Sequence, residues 1–212
     1  NGHVFSYNDG WLTCTVCGYK KTVDGYTGVA TDEATDRYVN IVDGQLETNK
    51  WIQIGNDICY LGADGVAVTG ENNIGEYTYS FDEYGMLTKH ASVLEDGTLA
   101  THIWQTNPKT DKMVYLGDDG LPVTGTQKIT DEVETNKEGV TESVTLTYVF
   151  DDNGDLVKGA FHKQGSYTYY YIAGIKQRGW HYVDGYWYYM DRKTGYGMAS
   201  LEHDGKTSVD KV

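Results

Sequence analysis

The sequence predicts an all-β chain, an elongated β-hairpin repeat array of seven units of about 20 residues, two of them with longer insertions. Three observations predict it. Turn glycines recur at Gly44, Gly65, Gly85, Gly120, Gly154, Gly174 and Gly195, spaced 21, 20, 35, 34, 20 and 21 residues apart. Each follows an aromatic or β-branched run of the kind that favours pleated backbone. No segment sustains a 3.6-residue apolar period, so helix is expected to be nearly absent. A unit of about 20 residues cannot bury a hydrophobic face alone, so stacked units must share a continuous core.

Along the chain, residues 1–30 read as a small N-terminal segment marked by Cys14-x-x-Cys17, with a boundary near residue 30. The repeats occupy 37–200, and 201–212 form a C-terminal tail. The expected strands are Tyr38–Val42, Ile58–Leu61, Tyr77–Phe81, Met113–Leu116, Leu146–Phe150, Tyr167–Tyr171 and Tyr186–Met190. Asp or Asn precedes most of the turn glycines, where a short side chain caps the turn and glycine supplies a positive φ. Short return segments close the units, such as Val66–Gly70, Leu121–Gly125, Asp155–Gly159 and Ile175–Gly179. One long unit adds a hairpin-like piece, Val93–Leu99, around Asp96-Gly97. The other adds Thr126–Thr145, a charged, solvated hairpin with its turn near Asn136–Gly139.

Seventeen basic against 31 acidic residues give a formal charge of −14, which disfavours a phosphate backbone or an anionic membrane surface as partner. A neutral sugar polymer or a quaternary ammonium cation stays compatible. Nineteen Tyr sit beside four Phe, and tyrosine, with its apolar ring and wet hydroxyl, suits half-exposed sheets and binding faces. No apolar run reaches 18 residues, so no membrane helix is expected. The chain starts at Asn1-Gly2 without a basic and apolar leader, which reads as a fragment of a longer protein. Three cysteines always leave one unpaired, so they form no disulfide framework, and their number does not set the compartment.

The last full unit carries Gly179-Trp180, Trp187-Tyr188-Tyr189 and Gly195-Tyr196-Gly197-Met198-Ala199. These elements resemble the cell-wall-binding (choline-binding-like) repeat. Its superfamily includes the glucan-binding repeats of streptococcal enzymes and the carbohydrate-binding repeats of clostridial toxins. The toxin repeats mix short and long units, and Gly65-Val66-Ala67-Val68-Thr69-Gly70 resembles part of them. The resemblance spans 37–200 and is strongest over 160–200.

It implies a β-solenoid of stacked hairpins with no enzyme activity. The implied role is to attach a secreted or surface protein of a Gram-positive bacterium to wall glycan, teichoic acid or host glycan. In choline-binding members, aromatic cages hold the trimethylammonium group by cation–π attraction, about 0.5–2 kcal/mol per ring. Sugar binders stack the same rings on pyranose faces. Carried over to this chain, the resemblance implies ligand contacts at Trp180, Trp187, Tyr189 and Met198, with Tyr169 or Tyr170 of the preceding unit. Trp51 and Trp104 keep the tryptophan without the preceding glycine. In the place of Trp187 other units carry Ile58, Thr78, Met113 or Tyr167.

Each candidate has a plainer reading. The aromatics can be packing between hairpins, which makes a structural spacer or protein-interaction module the rival function. His3, Cys14 and Cys17 resemble a degenerate zinc knuckle, with free thiols or a local disulfide as alternatives. Asp151, Asn153 and Asp155 superficially resemble a calcium loop, yet Leu156 and His162 stand where glycine and glutamate belong, and turn chemistry accounts for all of them. No nucleophile elbow, phosphate loop or His-Glu-x-x-His motif occurs, so no catalysis is expected.

Overall fold

The structure, a computed structural model, describes residues 3–135, 139–202 and 207–208, with the backbone alone described from 198 onward. No helix occurs among the described residues. The chain divides into two units, residues 1–103 with 116–122, and residues 104–115 with 123–212.

In the first unit, β1 (Phe5–Asn8), β2 (Trp11–Cys14), β3 (Lys20–Thr22), β4 (Gly28–Asp32), β5 (Tyr38–Val42) and β6 (Gln45–Leu46) form one sheet in the order β3-β2-β1-β4-β5-β6. The β1–β4 pair is parallel and all other pairs are antiparallel. Strand β4 spans residue 30, where composition places a boundary, and joins the N-terminal hairpin to the first repeat strand in a shared sheet. Two hairpins follow, β7 (Lys50–Ile54) with β8 (Asp57–Leu61) and β9 (Gly70–Ile74) with β10 (Tyr77–Phe81). The Val93–Leu99 piece closes as an antiparallel bridge between those two residues.

The second unit opens with β11 (Trp104–Asn107) and β12 (Lys112–Tyr115). Then come β13 (Gly125–Glu134), β14 (Thr141–Phe150) and β15 (Leu156–Lys158), and next β16 (Ala160–Gln164), β17 (Tyr167–Ile172) and β18 (Ile175–Lys176). Last are β19 (Gly179–Val183), β20 (Tyr186–Met190), β21 (Gly197–Glu202) and β22 (Thr207–Ser208). The charged insertion is a hairpin of two ten-residue strands, β13 and β14, in which Ile129, Asp131 and Val133 of one strand and Leu146, Tyr148 and Phe150 of the other alternate inward, with Ile129 directly opposite Leu146. Period-two alternation is what one buried face demands.

All seven turn glycines take positive φ, between 72° and 84°. The acidic residues beside them cap backbone. Asp82 Oδ1 accepts the N–H groups of Tyr84 (2.9 Å) and Met86 (2.8 Å), and Asp151 Oδ1 those of Asn153 and Asp155 (both 3.0 Å). Asp155 itself is buried, accepting from Thr110 Oγ1 (2.8 Å) and Asn107 Nδ2 (3.3 Å) with Lys112 Nζ at 3.6 Å. The calcium-like spelling of this loop is therefore a capped turn whose oxygens are taken by protein donors.

The turn glycines also show how consecutive segments meet. A Cβ on Gly65 would lie 3.1 Å from Leu46 Cβ, one on Gly85 2.8 Å from Ala67 Cβ, one on Gly120 2.7 Å from Leu99 Cβ, and one on Gly195 2.8 Å from Lys176 Cδ. Leu46, Ala67, Leu99 and Lys176 each stand two residues after an earlier turn glycine, namely Gly44, Gly65, Gly97 and Gly174. The same turn-on-return contact thus recurs within each unit, and Gly97 of the inserted piece joins the series.

Ring packing recurs as well. Trp51 pairs across its hairpin with Tyr60 (5.2 Å, 64°) and is covered by Tyr79 (4.8 Å, 70°) and Phe81 (5.7 Å, 29°). In the other unit Trp104 pairs with Tyr115 (5.2 Å, 66°) and is covered by Tyr148 (4.8 Å, 73°) and Phe150 (5.7 Å, 27°). Tyrosine is here a core residue, contrary to its expected half-exposed role: Tyr148, Tyr169 and Tyr171 head the fully buried side chains. The Tyr171 hydroxyl is buried without a hydrogen-bond partner among the described residues, whereas those of Tyr79 and Tyr148 are satisfied inside. Tyr79 donates to Asp119 O (2.8 Å), and Tyr148 donates to Asp131 Oδ2 (2.7 Å) while accepting from Gly174 N–H (3.0 Å). The indole N–H of Trp104 donates to the other oxygen of buried Asp131 (2.8 Å). Burial first, and then the Asp131 carboxylate, raise the Tyr148 pKa above the usual tyrosine value.

Two stability measurements check this packing. Gly85→Ala is expected to lose about 2–4 kcal/mol, combining left-handed backbone strain with the clash on Ala67. Gly75→Ala, whose Cβ meets nothing within 4 Å, loses only the strain, about 1–2 kcal/mol; equal losses in urea denaturation would contradict the close turn contact. Asp131→Ala leaves the Trp104 and Tyr148 donors unpaired and is expected to cost about 2–4 kcal/mol in the same assay, whereas a loss below about 0.5 kcal/mol would show the carboxylate to be idle.

Candidate functional site

Strand alternation sorts the last full hairpin, β19–β20, into two unlike faces. The register pairs Trp180 with Tyr189 and Tyr182 with Trp187 on one face, and His181 with Tyr188 on the other. The second face is buried: Val183 and Met190 pack with Tyr170, Ile172 and Tyr188. The first face holds four rings in the open, with Trp180 at 48%, Tyr182 at 50% and Trp187 at 44% exposure and Tyr189 half-buried. The Trp180–Tyr189 centroids lie 5.0 Å apart and those of Tyr182–Trp187 5.3 Å. Residues two apart on a strand are about 7 Å apart along it, so the pairs sit side by side as one platform. Large apolar side chains grouped on a surface mark a contact site far more often than isolated ones do.

Of the residues that the resemblance groups into a cage, Trp180, Trp187 and Tyr189 share one face, while Tyr169 and Tyr170 lie elsewhere. Tyr170 is buried against the opposite face, its ring 4.8 Å from Phe161 and 5.4 Å from His181, its hydroxyl accepting from Gly159 N–H (2.9 Å). The thickness of the hairpin separates it from Trp180 and Trp187. Tyr169, also buried, points to the other side of β17, under Lys176 Nζ at 4.3 Å. Met198 lies outside the residues whose side chains are described. Trp51 is buried and Trp104 half-buried, each covered as set out above, and the Trp104 N–H donates to Asp131. The preceding unit meets the Val183–Met190 face of β19–β20, so its tyrosines cannot reach the tryptophan face.

The second unit also holds a cleft that the repeat pattern alone does not point to. It encloses about 610 Å³ and is lined by Tyr167, Tyr196, Lys176, Arg178, Lys193 and Glu134, among others. The Tyr167 and Tyr196 rings lie 4.9 Å apart at 38°. Lys176 is buried, with Nζ 3.3 Å from Thr135 O, and burial lowers its pKa. Rings beside guanidinium, ammonium and carboxylate groups can hold a saccharide by stacking and by hydrogen bonds to hydroxyls. The available sequence signal was the Lys176-x-Arg178 pair on a return segment facing Tyr196 of the next turn.

At the N-terminal end His3 Nδ1 lies 3.2 Å from Cys14 Sγ and 3.6 Å from Cys17 Sγ. All three cysteines are free thiols. The Cys14 thiol is drawn down to about 6, first by the Cys17 N–H and next by His3. Cys59 differs: burial pushes it up to about 12, so it is an inert core thiol.

No protein-family model matches the chain. It is 27% identical over 187 residues to glucosyltransferase-S of Streptococcus mutans serotype c, an alignment covering 79% of this chain and 12% of that protein. Among solved structures it is similar to the modular autolysin LytC of Streptococcus pneumoniae (TM-score 0.30, 18% identity, 97% of this chain and 46% of that one). It is also similar to choline binding protein F of the same organism, solved in the presence of a peptidoglycan analogue (TM-score 0.27, 22% identity, 93% and 57%). The choline-binding domain of CbpL from that organism is a third (TM-score 0.29, 16% identity, 88% and 100%). The chain resembles the cell-wall-binding, choline-binding-like repeat superfamily.

Proposed function

We propose that this chain is a non-catalytic binding module, a β-solenoid of hairpin repeats that attaches a larger secreted or cell-surface protein to a carbohydrate-containing polymer. The polymer class is bacterial wall glycan, teichoic acid or host glycan. The observation that carries the reading is the four-ring platform of Trp180, Tyr182, Trp187 and Tyr189. Two tryptophans nearly half exposed on one face of a hairpin, whose other face is packed, are costly to leave in water unless a ligand uses them. A flat platform suits the apolar face of a pyranose better than it suits a trimethylammonium group, which gains most when rings surround it. A net charge of −14 favours a neutral glycan over teichoic acid, whose phosphate backbone is itself anionic. The similarity to part of a glucosyltransferase supports a glycan over a protein as partner. Shallow platforms bury little ligand, so affinity for a polymer would come from several contacts along it.

A second reading rests on one observation. The cross-strand pairs Trp51–Tyr60 and Trp104–Tyr115 are each covered by rings of a later hairpin, so Trp180–Tyr189 can equally be the seat of another repeat. The module would then be a spacer or a protein-interaction element.

Intrinsic tryptophan fluorescence of the full chain, titrated with dextran, purified Gram-positive cell wall and choline, separates the two. The binding reading expects a saturable response to a saccharide probe, and Trp180→Ala with Trp187→Ala is expected to weaken it about tenfold or more, 1.4 kcal/mol. Circular dichroism should show the double variant folded, because the substituted rings lie off the packed face. Silence toward all three probes, together with no retention on a glycan array, favours the spacer. Undiminished saccharide binding by the folded double variant would move the site away from this platform, with Tyr167→Ala in the neighbouring cleft as the next variant to measure.

A further inference from the structure

We propose that His3, Cys14 and Cys17 form a zinc(II) site at the N-terminal end of the first unit, a feature independent of polymer binding. The donor atoms come from two separate stretches of chain, the residue leading into β1 and the turn joining β2 to β3, and all lie within 4.8 Å of one another. Metal bonds of about 2.3 Å to sulfur and 2.0–2.1 Å to nitrogen at a tetrahedral angle give a sulfur–nitrogen edge of about 3.6 Å. The two observed sulfur–nitrogen edges, 3.2 Å and 3.6 Å, lie within a few tenths of an ångström of that length. Two thiolates and an imidazole are the donor set that selects zinc over calcium or magnesium, whose ligands are oxygens.

The surroundings hold these atoms in place. The turn is closed by Cys14 N–H to Tyr19 O (2.7 Å) and Gly18 N–H to Cys14 O (3.0 Å), with Gly18 at φ +73°. Cys17 N–H points at Cys14 Sγ from 3.5 Å, a donor suited to a thiolate. The segment carrying His3 is tied to the same turn by Thr15, whose N–H (2.9 Å) and hydroxyl (3.2 Å) both donate to Val4 O. His3 is flanked by the rings of Phe5 and Tyr19, each at 5.7 Å. Cys14 is buried while Cys17 faces solvent, so a metal has an open approach from the Cys17 side. Three protein donors leave one tetrahedral position for water. Binding releases the protons of both thiols, which makes affinity fall in acid. The bound ion would clamp the start of β1 to the β2–β3 turn, at the edge of the six-stranded sheet.

The test uses the full chain. Purified with zinc present, it is expected to retain about one metal per molecule by elemental analysis, and cobalt(II) in place of zinc should give the intense visible bands of a tetrahedral thiolate complex. Cys17→Ser and His3→Ala change solvent-facing residues and should leave the far-ultraviolet circular dichroism unchanged. Each should lower zinc affinity by more than the about 10–100-fold that an outer-sphere change costs. Absence of the tetrahedral cobalt bands, or bands that persist in both folded variants, overturns the proposal.

Discussion

A two-stranded hairpin is marginal in water, because one face finds cover only if something else is laid on it. Here the cover is a ring pair that bridges the two strands of one hairpin and is roofed by alternate residues of a later one. Trp51 with Tyr60 lies under Tyr79 and Phe81, and Trp104 with Tyr115 lies under Tyr148 and Phe150, at centroid distances that agree to a tenth of an ångström. An aromatic side chain buries 150–250 Å², which amounts to about 4–6 kcal/mol of transfer free energy. Few other side chains cover so much of a thin hairpin at the cost of fixing two torsions. The high tyrosine content follows from this demand, and the hydroxyls of Tyr79, Tyr148 and Tyr170 find a backbone carbonyl, N–H groups or the buried Asp131, while that of Tyr171 is buried without a partner among the described residues.

The same interaction sets where a ligand can be held. Rings roofed by another hairpin leave less face for anything else, so Trp51 is buried and Trp104 half-buried despite their place in the repeat. The pair at Trp180 and Tyr189 keeps the cross-strand geometry without becoming buried, and Tyr182 and Trp187 widen it into a platform. The exposed platform and the packed ring pairs share one cross-strand geometry, differing in whether a later hairpin lies on it.

The acidity of the chain has a local cause too. Carboxylates at Asp64, Asp82, Asp119, Asp151 and Asp191 each accept backbone N–H groups of their own turn. A fold made of turns therefore accumulates negative charge for conformational reasons, and that charge in turn keeps polyanions away. Lys176 and Arg178, gathered beside Tyr167 and Tyr196, run against this background and give the cleft its distinct chemistry.

By itself the sequence determined the all-β character, the positions of the seven turns and the strands before them, because these depend on neighbours within five or six residues. Tyr38–Val42, Tyr77–Phe81 and Tyr186–Met190 are strands as read, and the turn glycines carry the positive φ their spelling demands. The resemblance at 179–199 picked out Trp180 and Trp187 as ligand contacts, and the structure leaves both exposed. It also grouped them with Tyr169 and Tyr170, which nearness in sequence cannot decide. Whether two rings meet depends on which face of a strand each occupies and which face the neighbouring hairpin covers; a shift of one residue moves a ring through the whole thickness of the sheet. That is why tertiary structure alone separated Tyr170 from the platform and set Asp131 under Trp104 and Tyr148. It likewise paired β4, which spans residue 30, with both the N-terminal hairpin and β5, and it set the distances of His3 from Cys14 and Cys17, which the sequence had grouped.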